Sequence, residues 1–348
     1  MTIGSMEEAL QPMRSRRVAL VTGANGFIAG HLIERLAALG FDVVGVARRR
    51  GSCLLPGRIF TMPRLDNEAA MTAMLDHVRP QVIFHLAGST KPAPEEGFAA
   101  GIEATRVLLA AASAMRPKPR VVLIGSAAEY GPLPAPLLPA GEYTPCSPVS
   151  DYGRAKLEQT QLGLEAAAVG LPVVVARLFN VIGPGMGEHL ALGQFSQTLS
   201  AMRPGGGVLV TGDLRGKRDF VSVEDTARLL VELAFHDGAL GRVIPICSGY
   251  AYQMRDVVAE LIQASGLEVS VQPQETQLGV SAVDMMVGDP SVLAALGLRV
   301  PVMNLSACME GIWTASALSS SPRQEACQLA LVGGQVSPRV PQPEPHEL

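Results

Sequence analysis

The stretch VALVTGANGFIAG, residues 18–30, decides the fold of this chain. Its first five residues predict a short buried strand, and the residues from Ile28 to Leu39 have the apolar spacing of a helix. Between them, Gly23 permits a tight turn, Gly26 lets backbone approach a pyrophosphate, and the small Ala29 lets the helix pack closely on the strand. A helix beginning there offers free N–H groups and partial positive charge to phosphates. The residues expected to contact a dinucleotide in this turn are Gly23, Asn25, Gly26, Phe27 and Ile28.

Strands and helices alternate along the next 150 residues. Further strands are predicted at residues 41–47, 81–86, 121–126 and 173–177, and Ala-rich helical segments lie at 69–78 and 99–115. This alternation is typical of right-handed crossovers, so we expect an α/β fold: a Rossmann-type, doubly wound parallel sheet with helices on both faces. After Asn180 the pattern loosens, and the helical segments 191–202, 252–265 and 290–297 indicate a smaller C-terminal substrate lobe.

These patterns divide the chain into regions. We expect a dinucleotide-binding domain over residues 16–180, to which residues 221–248 return, and a substrate-binding lobe made of 181–220 and 249–314. Residues 1–15 are polar and patternless and predict a mobile tail. Residues 315–348 are rich in Ser, Pro, Gln and Glu, a composition that predicts a disordered tail.

Composition excludes several classes of protein. With 348 residues, 48% of them hydrophobic, the chain can bury a core without disulfides or a structural metal. Lys and Arg total 28 against 32 Asp and Glu, so no basic excess favours nucleic-acid binding. The five cysteines are scattered without a CxxC pair, which argues against a disulfide framework and a metal site. No secretory signal or membrane-length apolar run is present, so we expect a cytoplasmic protein that binds no membrane.

The residues after the second predicted strand bear on the choice of cofactor. An acid at this place would bind the ribose hydroxyls of NAD, but the sequence there is Ala47-Arg48-Arg49-Arg50. A guanidinium suits a phosphate, so we predict Arg48 as a ligand of the 2′-phosphate and favour NADP(H), with NAD(H) as the alternative. The alternative is that these arginines form a solvated loop.

Tyr152 and Lys156 are four residues apart and therefore share one face of a predicted helix. A tyrosine near its ordinary pKa of about 10 is a poor acid or base at neutral pH. We expect the Lys156 ammonium to stabilise the phenolate and lower the pKa of Tyr152. Ser126, at the end of a predicted strand, could hold the substrate oxygen while Tyr152 transfers its proton.

Taken together, these residues resemble the extended short-chain dehydrogenase/reductase family of nucleotide-sugar epimerases, dehydratases and reductases. The resemblance covers residues 17–312, and its motifs are TGANGFIAG (22–30), HLAG (85–88), GSAAEYG (125–131), YGRAK (152–156), RLFNVIGPG (177–185) and RDFVSVED (218–225). It implies that Ser126, Tyr152 and Lys156 are catalytic and that the last two also contact the cofactor, together with Leu86, Ala87 and Gly88. It further implies a nucleotide-sugar substrate bound by Ser126, Asn180 and Arg218, and a homodimer. For Arg218, a structural ion pair with Asp219 or Asp225 is the alternative.

Departures from the family pattern narrow the reaction. Family 4,6-dehydratases carry an Asp-Glu pair after the catalytic hydroxyl, whereas this chain has Ala127 and Ala128, which cannot carry a proton. Gly101 and Pro245 each replace an Asn that many members have. The stretch 284–287 lacks the substrate-binding arginine found there in many relatives. We reject a dehydratase because Ala127 and Ala128 cannot carry the protons that the loss of water requires.

Within the family, the sequence most resembles reductases of the GDP-4-keto-6-deoxy-mannose type. The implied reaction is hydride delivery from NADPH to a C4 ketone while Tyr152 protonates its oxygen. A nucleotide-sugar 4-epimerase, which retains its NAD, is the alternative enzyme. A non-catalytic dinucleotide-sensing protein is the alternative from another class, although such proteins often lose the tyrosine or the lysine that this chain keeps.

Overall fold

The computed structural model of the chain describes residues 17–49, 58–88, 95–274 and 284–319. Its strands are β1 (Val18–Thr22), β2 (Asp42–Ala47), β3 (Arg58–Thr61), β4 (Val82–His85), β5 (Arg120–Ser126), β6 (Val173–Leu178), β7 (Asn180–Ile182), β8 (Gly207–Thr211), β9 (Lys217–Arg218), β10 (Phe220–Ser222), β11 (Val243–Ile246), β12 (Tyr252–Gln253), β13 (Val269–Pro273) and β14 (Met285–Met286). Its helices are α1 (Phe27–Ala38), α2 (Glu68–Val78), α3 (Glu95–Ala114), α4 (Asp151–Ala168), α5 (Ala191–Ser200), α6 (Val223–Ala234), α7 (Met254–Ser265), α8 (Ser291–Ala295) and α9 (Leu305–Ser319).

Seven strands form one sheet, in the order β11-β6-β5-β4-β1-β2-β3. Every neighbouring pair is parallel, so the carboxyl ends of all seven strands lie at the same edge. The order reverses at β1, where the chain goes first toward β2 and β3 and then back to β4 on the other side. In doubly wound sheets, ligands bind beyond the carboxyl ends at this reversal. The predicted Rossmann-type α/β fold is confirmed.

Helices cover both faces of the sheet because its strands are apolar on both sides. In β1, Ala19 and Val21 face a core that includes side chains of α1 and α6, and Leu20 faces a second core beneath α2, α3 and α4. Such two-sided burial explains why β1 and β6 read as continuous apolar runs rather than as alternating patterns. The sheet is thereby fixed from both faces, and its carboxyl edge becomes a rigid base for a site.

Two strands of the sheet were not among the predicted strands. β3 has only four residues, which are half-exposed or exposed, so it carries little of the apolar signal of a buried strand. β11 contains Pro245, which cannot donate a backbone hydrogen bond and therefore argues against a central strand. β11 tolerates the proline because it lies at the sheet edge and pairs only with β6.

The remaining elements form a lobe in which α5, α7 and α9 enclose a separate apolar core. Helix α9 continues to Ser319, so residues 315–319, which the sequence placed in the disordered tail, are helical. The buried side chains of Met309 and Ile312 anchor α9, and the Ser196 hydroxyl donates to the Ser316 hydroxyl at 2.8 Å. Residues 1–15 and 320–348 of the predicted tails lie outside the described residues. Within the described ranges, no helix combines the length and apolarity needed to cross a membrane.

Candidate active site

The turn between β1 and α1 has the shape that its glycines permit. Gly23 has a φ of +70°, and a Cβ placed on it would lie 2.9 Å from the carbonyl carbon and oxygen of Leu86. Only glycine therefore lets the end of β4 approach the turn this closely. Gly26 precedes the first helical residue and offers no capping side chain. The first N–H groups of α1 are thus available to a ligand anion, as the sequence predicted.

A cavity of about 990 Å³ opens at the carboxyl edge of the sheet. The predicted cofactor residues that line it are Gly23, Asn25, Gly26, Arg48, Leu86, Ala87, Gly88, Tyr152 and Lys156. Phe27 and Ile28, also predicted, are not part of this lining. The Phe27 ring packs edge-on against His31, and Ile28 packs against the core beneath α1. The size of the cavity and the bare backbone at Gly23 fit a dinucleotide.

Two exposed arginines lie where the cavity meets the end of β2. Arg48 and Arg49 directly follow the strand and line the cavity. The Asn25 side-chain amide donates to the Arg49 carbonyl oxygen at 2.9 Å, which ties this segment to the glycine turn. Among the described residues, neither guanidinium pairs with a carboxylate, so both remain available to a phosphate.

A third arginine and an acid reach the same end of the cavity, and sequence analysis missed both. Arg64 and Asp66 follow β3 and line the cavity close to Arg48 and Arg49. The Arg64 guanidinium binds the Asp66 carboxylate through Nε at 3.1 Å and Nη2 at 2.6 Å, and this contact lowers the pKa of Asp66. No acid directly follows β2, but Asp66, in the loop after the neighbouring strand β3, lines the cavity. Finding Arg64 and Asp66 from the sequence would have required the prediction of β3, the strand that they follow, and β3 was not predicted.

The three predicted catalytic residues meet beside the cavity. The Ser150 hydroxyl caps α4 by accepting from the Gly153 N–H at 3.0 Å, which places Tyr152 in the first helical turn. The Ser126 hydroxyl lies near enough to the Tyr152 phenol to oppose the rise that burial causes in the pKa of Tyr152. The Ser126 hydroxyl also accepts from the Ala128 N–H at 3.2 Å, so its own proton remains free to donate.

The charges around Tyr152 differ from the sequence expectation. Burial raises the pKa of Tyr152, and the group that opposes this rise is the Ser126 hydroxyl rather than the Lys156 ammonium. Lys156 donates to the Ile124 carbonyl oxygen at 2.9 Å instead. Burial lowers the pKa of Lys156 to about 8, against the opposing charge of Glu129. The expected lowering of the Tyr152 pKa is therefore wrong.

Two of the three predicted substrate ligands, Asn180 and Arg218, do not line this cavity. Asn180 is exposed at the start of β7, and its side-chain amide donates to the backbone oxygen of Asp219 at 2.8 Å. Arg218 lies half-buried in β9, where the charge of Asp284 raises its pKa and burial, the larger effect, lowers it. The alternative ion-pair partners of Arg218 are engaged elsewhere. Asp219 accepts hydrogen bonds from Ser248, Gly249 and Gly288, and Asp225 pairs with Arg228.

An amide stands beside Gly101, where the resemblance implied that many relatives have asparagine. It belongs to Gln159 of α4, whose Nε2 donates to the Gly101 carbonyl oxygen at 2.9 Å and to the Thr105 hydroxyl at 3.0 Å. Gln159 also lines the cavity. Sequence analysis missed it, although its spacing of three residues from Lys156 places both on one helix face.

The arrangement combines a helix N-terminus with free N–H groups, the Tyr152 hydroxyl and the Lys156 ammonium at one cavity, with the Ser126 hydroxyl beside Tyr152. A hydroxyl with an intact proton beside a second hydroxyl donor can protonate and hold a carbonyl oxygen. The chemistry that these groups support is therefore proton transfer coupled to reduction or oxidation by a bound dinucleotide.

Comparison with known proteins gives matches to a family, to curated relatives and to solved structures. The sequence profile of the NAD-dependent epimerase/dehydratase family matches residues 19–247. The chain is 33% identical over 264 residues to dTDP-6-deoxy-L-talose 4-dehydrogenase (NAD(P)(+)) of Kitasatospora kifunensis, covering 73% of this chain and 81% of that protein. It is 27% identical over 259 residues to GDP-6-deoxy-D-mannose reductase of Pseudomonas aeruginosa, covering 72% and 81%. The fold superposes on UDP-glucose 4-epimerase of Thermus thermophilus with a TM-score of 0.74 at 24% identity, covering 86% of this chain and 98% of that one.

Proposed function

The chain belongs to the NAD-dependent epimerase/dehydratase family, and within that family we propose that it is an NADPH-dependent reductase of a 4-keto-6-deoxy nucleotide hexose. Membership makes it an NAD(P)-dependent enzyme that modifies nucleotide sugars. The finer assignment concerns which reaction, which cofactor and which sugar. The choice of reaction rests mainly on the residues that follow Ser126.

The observation that carries the proposal is the absence of proton carriers after Ser126. Ala127 and Ala128 form a short 3-10 turn with Glu129, and neither alanine can remove or supply a proton. Glu129 is the next carboxylate along the chain, but it is fully buried and faces Arg177 rather than the cavity. Loss of water from a sugar needs an acid and a base in contact with it. Reduction of a ketone needs only one proton donor and a hydride.

Two relatives support the choice of substrate. One is named a 4-dehydrogenase of a dTDP-6-deoxy-talose and accepts NAD(P)⁺, and the other is named a reductase of a GDP-6-deoxy-mannose. Both names describe hydride chemistry on a 6-deoxy nucleotide hexose. A 4-keto-6-deoxy nucleotide hexose is therefore the substrate class that we propose, without choosing between the two nucleotides.

The mechanism assigns one task to each residue. The glycine turn and the N-terminus of α1 bind the diphosphate of the dinucleotide, whose nicotinamide supplies the hydride when bound. Tyr152, whose raised pKa keeps it protonated at neutral pH, donates its proton to the C4 oxygen. Ser126 holds the same oxygen with the proton that its contact with Ala128 leaves free. Asn180 and Arg218 would bind the nucleotide-sugar portion.

NADPH is proposed over NADH because of the guanidinium groups beyond β2. Arg48 and Arg49 both line the cavity, and a 2′-phosphate would give them an anionic partner. Asp66, the acid at this end, is already bound by Arg64. NAD(H) stays the alternative cofactor.

The proposal is tested by supplying GDP- and dTDP-linked 4-keto-6-deoxyhexoses with NADPH and following cofactor absorbance and product mass. We expect one NADPH oxidised per product, with the sugar gaining two hydrogen atoms. GDP-mannose, with its C4 hydroxyl, should lose no water. Loss of water without net cofactor consumption would overturn the proposal, and inversion at C4 with retained NAD would identify an epimerase. Binding of NADPH without turnover of any sugar would favour a sensing protein.

A further inference from the structure

A buried carboxylate lies directly beneath the candidate catalytic serine. The Glu129 side chain is fully buried, and its Oε1 accepts from the backbone N–H of Ser126 at 2.6 Å. Its Oε2 accepts from Arg177 through Nε at 3.0 Å and Nη2 at 2.7 Å. The Thr160 hydroxyl donates to the same oxygen at 3.0 Å. Four donors from three elements therefore converge on this single carboxylate.

These donors come from the elements that hold the catalytic residues. Ser126 ends β5, and Thr160 lies in α4 one turn beyond Lys156. Arg177 lies in β6, and its guanidinium rests 4.6 Å from the centre of the Tyr130 ring, which fixes its direction. The carboxylate thus ties the end of β5, which holds Ser126, to the helix that holds Tyr152 and Lys156.

The sequence around Glu129 leaves room for this contact. A Cβ on Gly125 would lie 2.6 Å from Glu129 Oε1, so a side chain at that position would displace the carboxylate. Ser126 and Glu129 form a capping box: the Ser126 hydroxyl accepts from the Ala128 N–H while Glu129 accepts from the Ser126 N–H. The box holds both the backbone and the hydroxyl of Ser126 in one conformation.

We propose that Glu129 is a positioning residue of the active centre. Its carboxylate fixes the backbone of Ser126 and with it the direction of the serine hydroxyl, and Arg177 and Thr160 hold the carboxylate in place. The inference deepens the proposed reductase function and rests on it for its kinetic consequences. Glu129 does not touch the cavity, so it acts through Ser126. Burial raises the pKa of Glu129, and the charge of Arg177 opposes that rise.

The test replaces Glu129 with Gln, which keeps the shape but removes the charge and leaves one acceptor oxygen, so the amide N–H₂ must face either the Ser126 N–H or the Arg177 and Thr160 donors. We expect kcat to fall about 10- to 100-fold, the scale of a small displacement of a reacting group. The Kd for NADPH should stay unchanged, because Glu129 does not line the cavity. Asp225→Asn is the matched control: it breaks a largely buried ion pair with Arg228 on α6, on the opposite face of the sheet from α4, and should leave kcat unchanged.

A double-mutant cycle separates positioning from general damage. In a Ser126→Ala background, adding Glu129→Gln should change kcat by less than about twofold. The effects of two independent substitutions add, whereas a residue that acts only through Ser126 has no further effect once the serine hydroxyl is gone. Additive losses would show that Glu129 does not act through Ser126 and would overturn the inference. If Glu129→Gln fails to fold because Arg177 is left unpaired, the double variant Glu129→Gln with Arg177→Met removes both charges and takes its place in the cycle.

One measurement does not depend on turnover. In an NMR spectrum, the amide proton of Ser126, which is hydrogen-bonded to the Glu129 carboxylate, should resonate downfield in the free wild-type protein and move upfield in Glu129→Gln. An amide proton that does not move would overturn the inference whatever the activity. A wild-type enzyme that turns over no nucleotide sugar would instead overturn the proposed function alone, since the amide measurement still decides the Glu129–Ser126 contact.

Discussion

The Thr22 hydroxyl and the His85 imidazole are hydrogen-bonded at 2.9 Å between oxygen and Nδ1. On the other side of the ring, Nε2 lies 3.1 Å from the Thr105 hydroxyl. Thr105 donates its single proton to the Gly101 carbonyl oxygen at 3.0 Å, so it can only accept from His85. His85 therefore carries its proton on Nε2, and Nδ1 accepts from Thr22.

This chain of hydrogen bonds links the glycine turn to the helices behind the cavity. The Thr22 oxygen accepts from the Ala87 N–H at 3.2 Å, and Thr105 also accepts from Gln159 of α4. Both ring nitrogens of His85 are thus satisfied in the neutral form, so the histidine is a structural core residue rather than a ligand or base. Burial lowers the pKa of His85 to about 3, and the charge of Lys156 contributes to the same lowering.

The first prediction concerns acid stability. Between its ordinary pKa of 6.5 and about 3, His85 binds a proton in the unfolded chain but not in the folded protein. The free energy of unfolding should therefore fall as pH drops below 6.5, with a His85 contribution of up to about 1.4 kcal/mol per pH unit. His85→Gln keeps a donor and an acceptor and should show a shallower slope in urea unfolding between pH 6.5 and 5. Equal slopes in wild type and His85→Gln would contradict the assignment.

The second prediction concerns Tyr152. Replacing it with Phe removes one oxygen and leaves the ring, so the fold should survive. Turnover should fall by about 10²–10⁴-fold, the scale of lost general acid catalysis. Tyr143→Phe is the control, since Tyr143 is 87% exposed and lies outside the catalytic cavity. Steady-state kinetics beside thermal unfolding measures both effects. Near-normal turnover in Tyr152→Phe would remove this residue from the mechanism.

The short-range signals in the sequence were sufficient for the fold, but not for all of the site. The strand and helix around Gly23 were predicted from residues 18–39, and β1 and α1 lie there. Asp66 reaches the cavity only because β3 pairs beside β2, and a four-residue, partly exposed strand gives little pattern. Glu129 follows two alanines and resembles an ordinary turn residue. Its partner Arg177 is 48 residues away, a pairing that only the folded sheet creates.

The third prediction concerns alkaline pH. The pKa of Lys156 is lowered to about 8, whereas that of Tyr152 is raised above its ordinary value. If the ammonium is required, kcat/KM should fall as pH rises through about 8, while Tyr152 still holds its proton. In Lys156→Met the residual activity should be low and should titrate only at higher pH, with Tyr152. A wild-type profile that stays flat to about pH 10, the ordinary tyrosine pKa, would show that the lysine charge does not matter for turnover.

The fourth prediction concerns the cofactor. Because the Arg48 guanidinium lines the cavity and has no carboxylate partner among the described residues, it should bind a 2′-phosphate. Arg48→Ala should raise the Kd for NADPH by about 10- to 100-fold, the scale of one lost charged hydrogen bond. The Kd for NADH should not change, because NADH has no phosphate at that position. Arg203→Ala, on an exposed arginine of the lobe, should change neither value.

Fluorescence titration of both reduced cofactors against the same variants decides the point. Salt should weaken NADPH binding to the wild type more than to Arg48→Ala, since the contact between guanidinium and phosphate is exposed to screening. If Arg48→Ala weakens both cofactors alike, the arginine shapes the β2 end of the cavity rather than reading the phosphate. If only Arg49→Ala discriminates between NADPH and NADH, the phosphate ligand is the neighbouring guanidinium. A wild-type preference for NADH would contradict both assignments and favour the retained NAD of an epimerase.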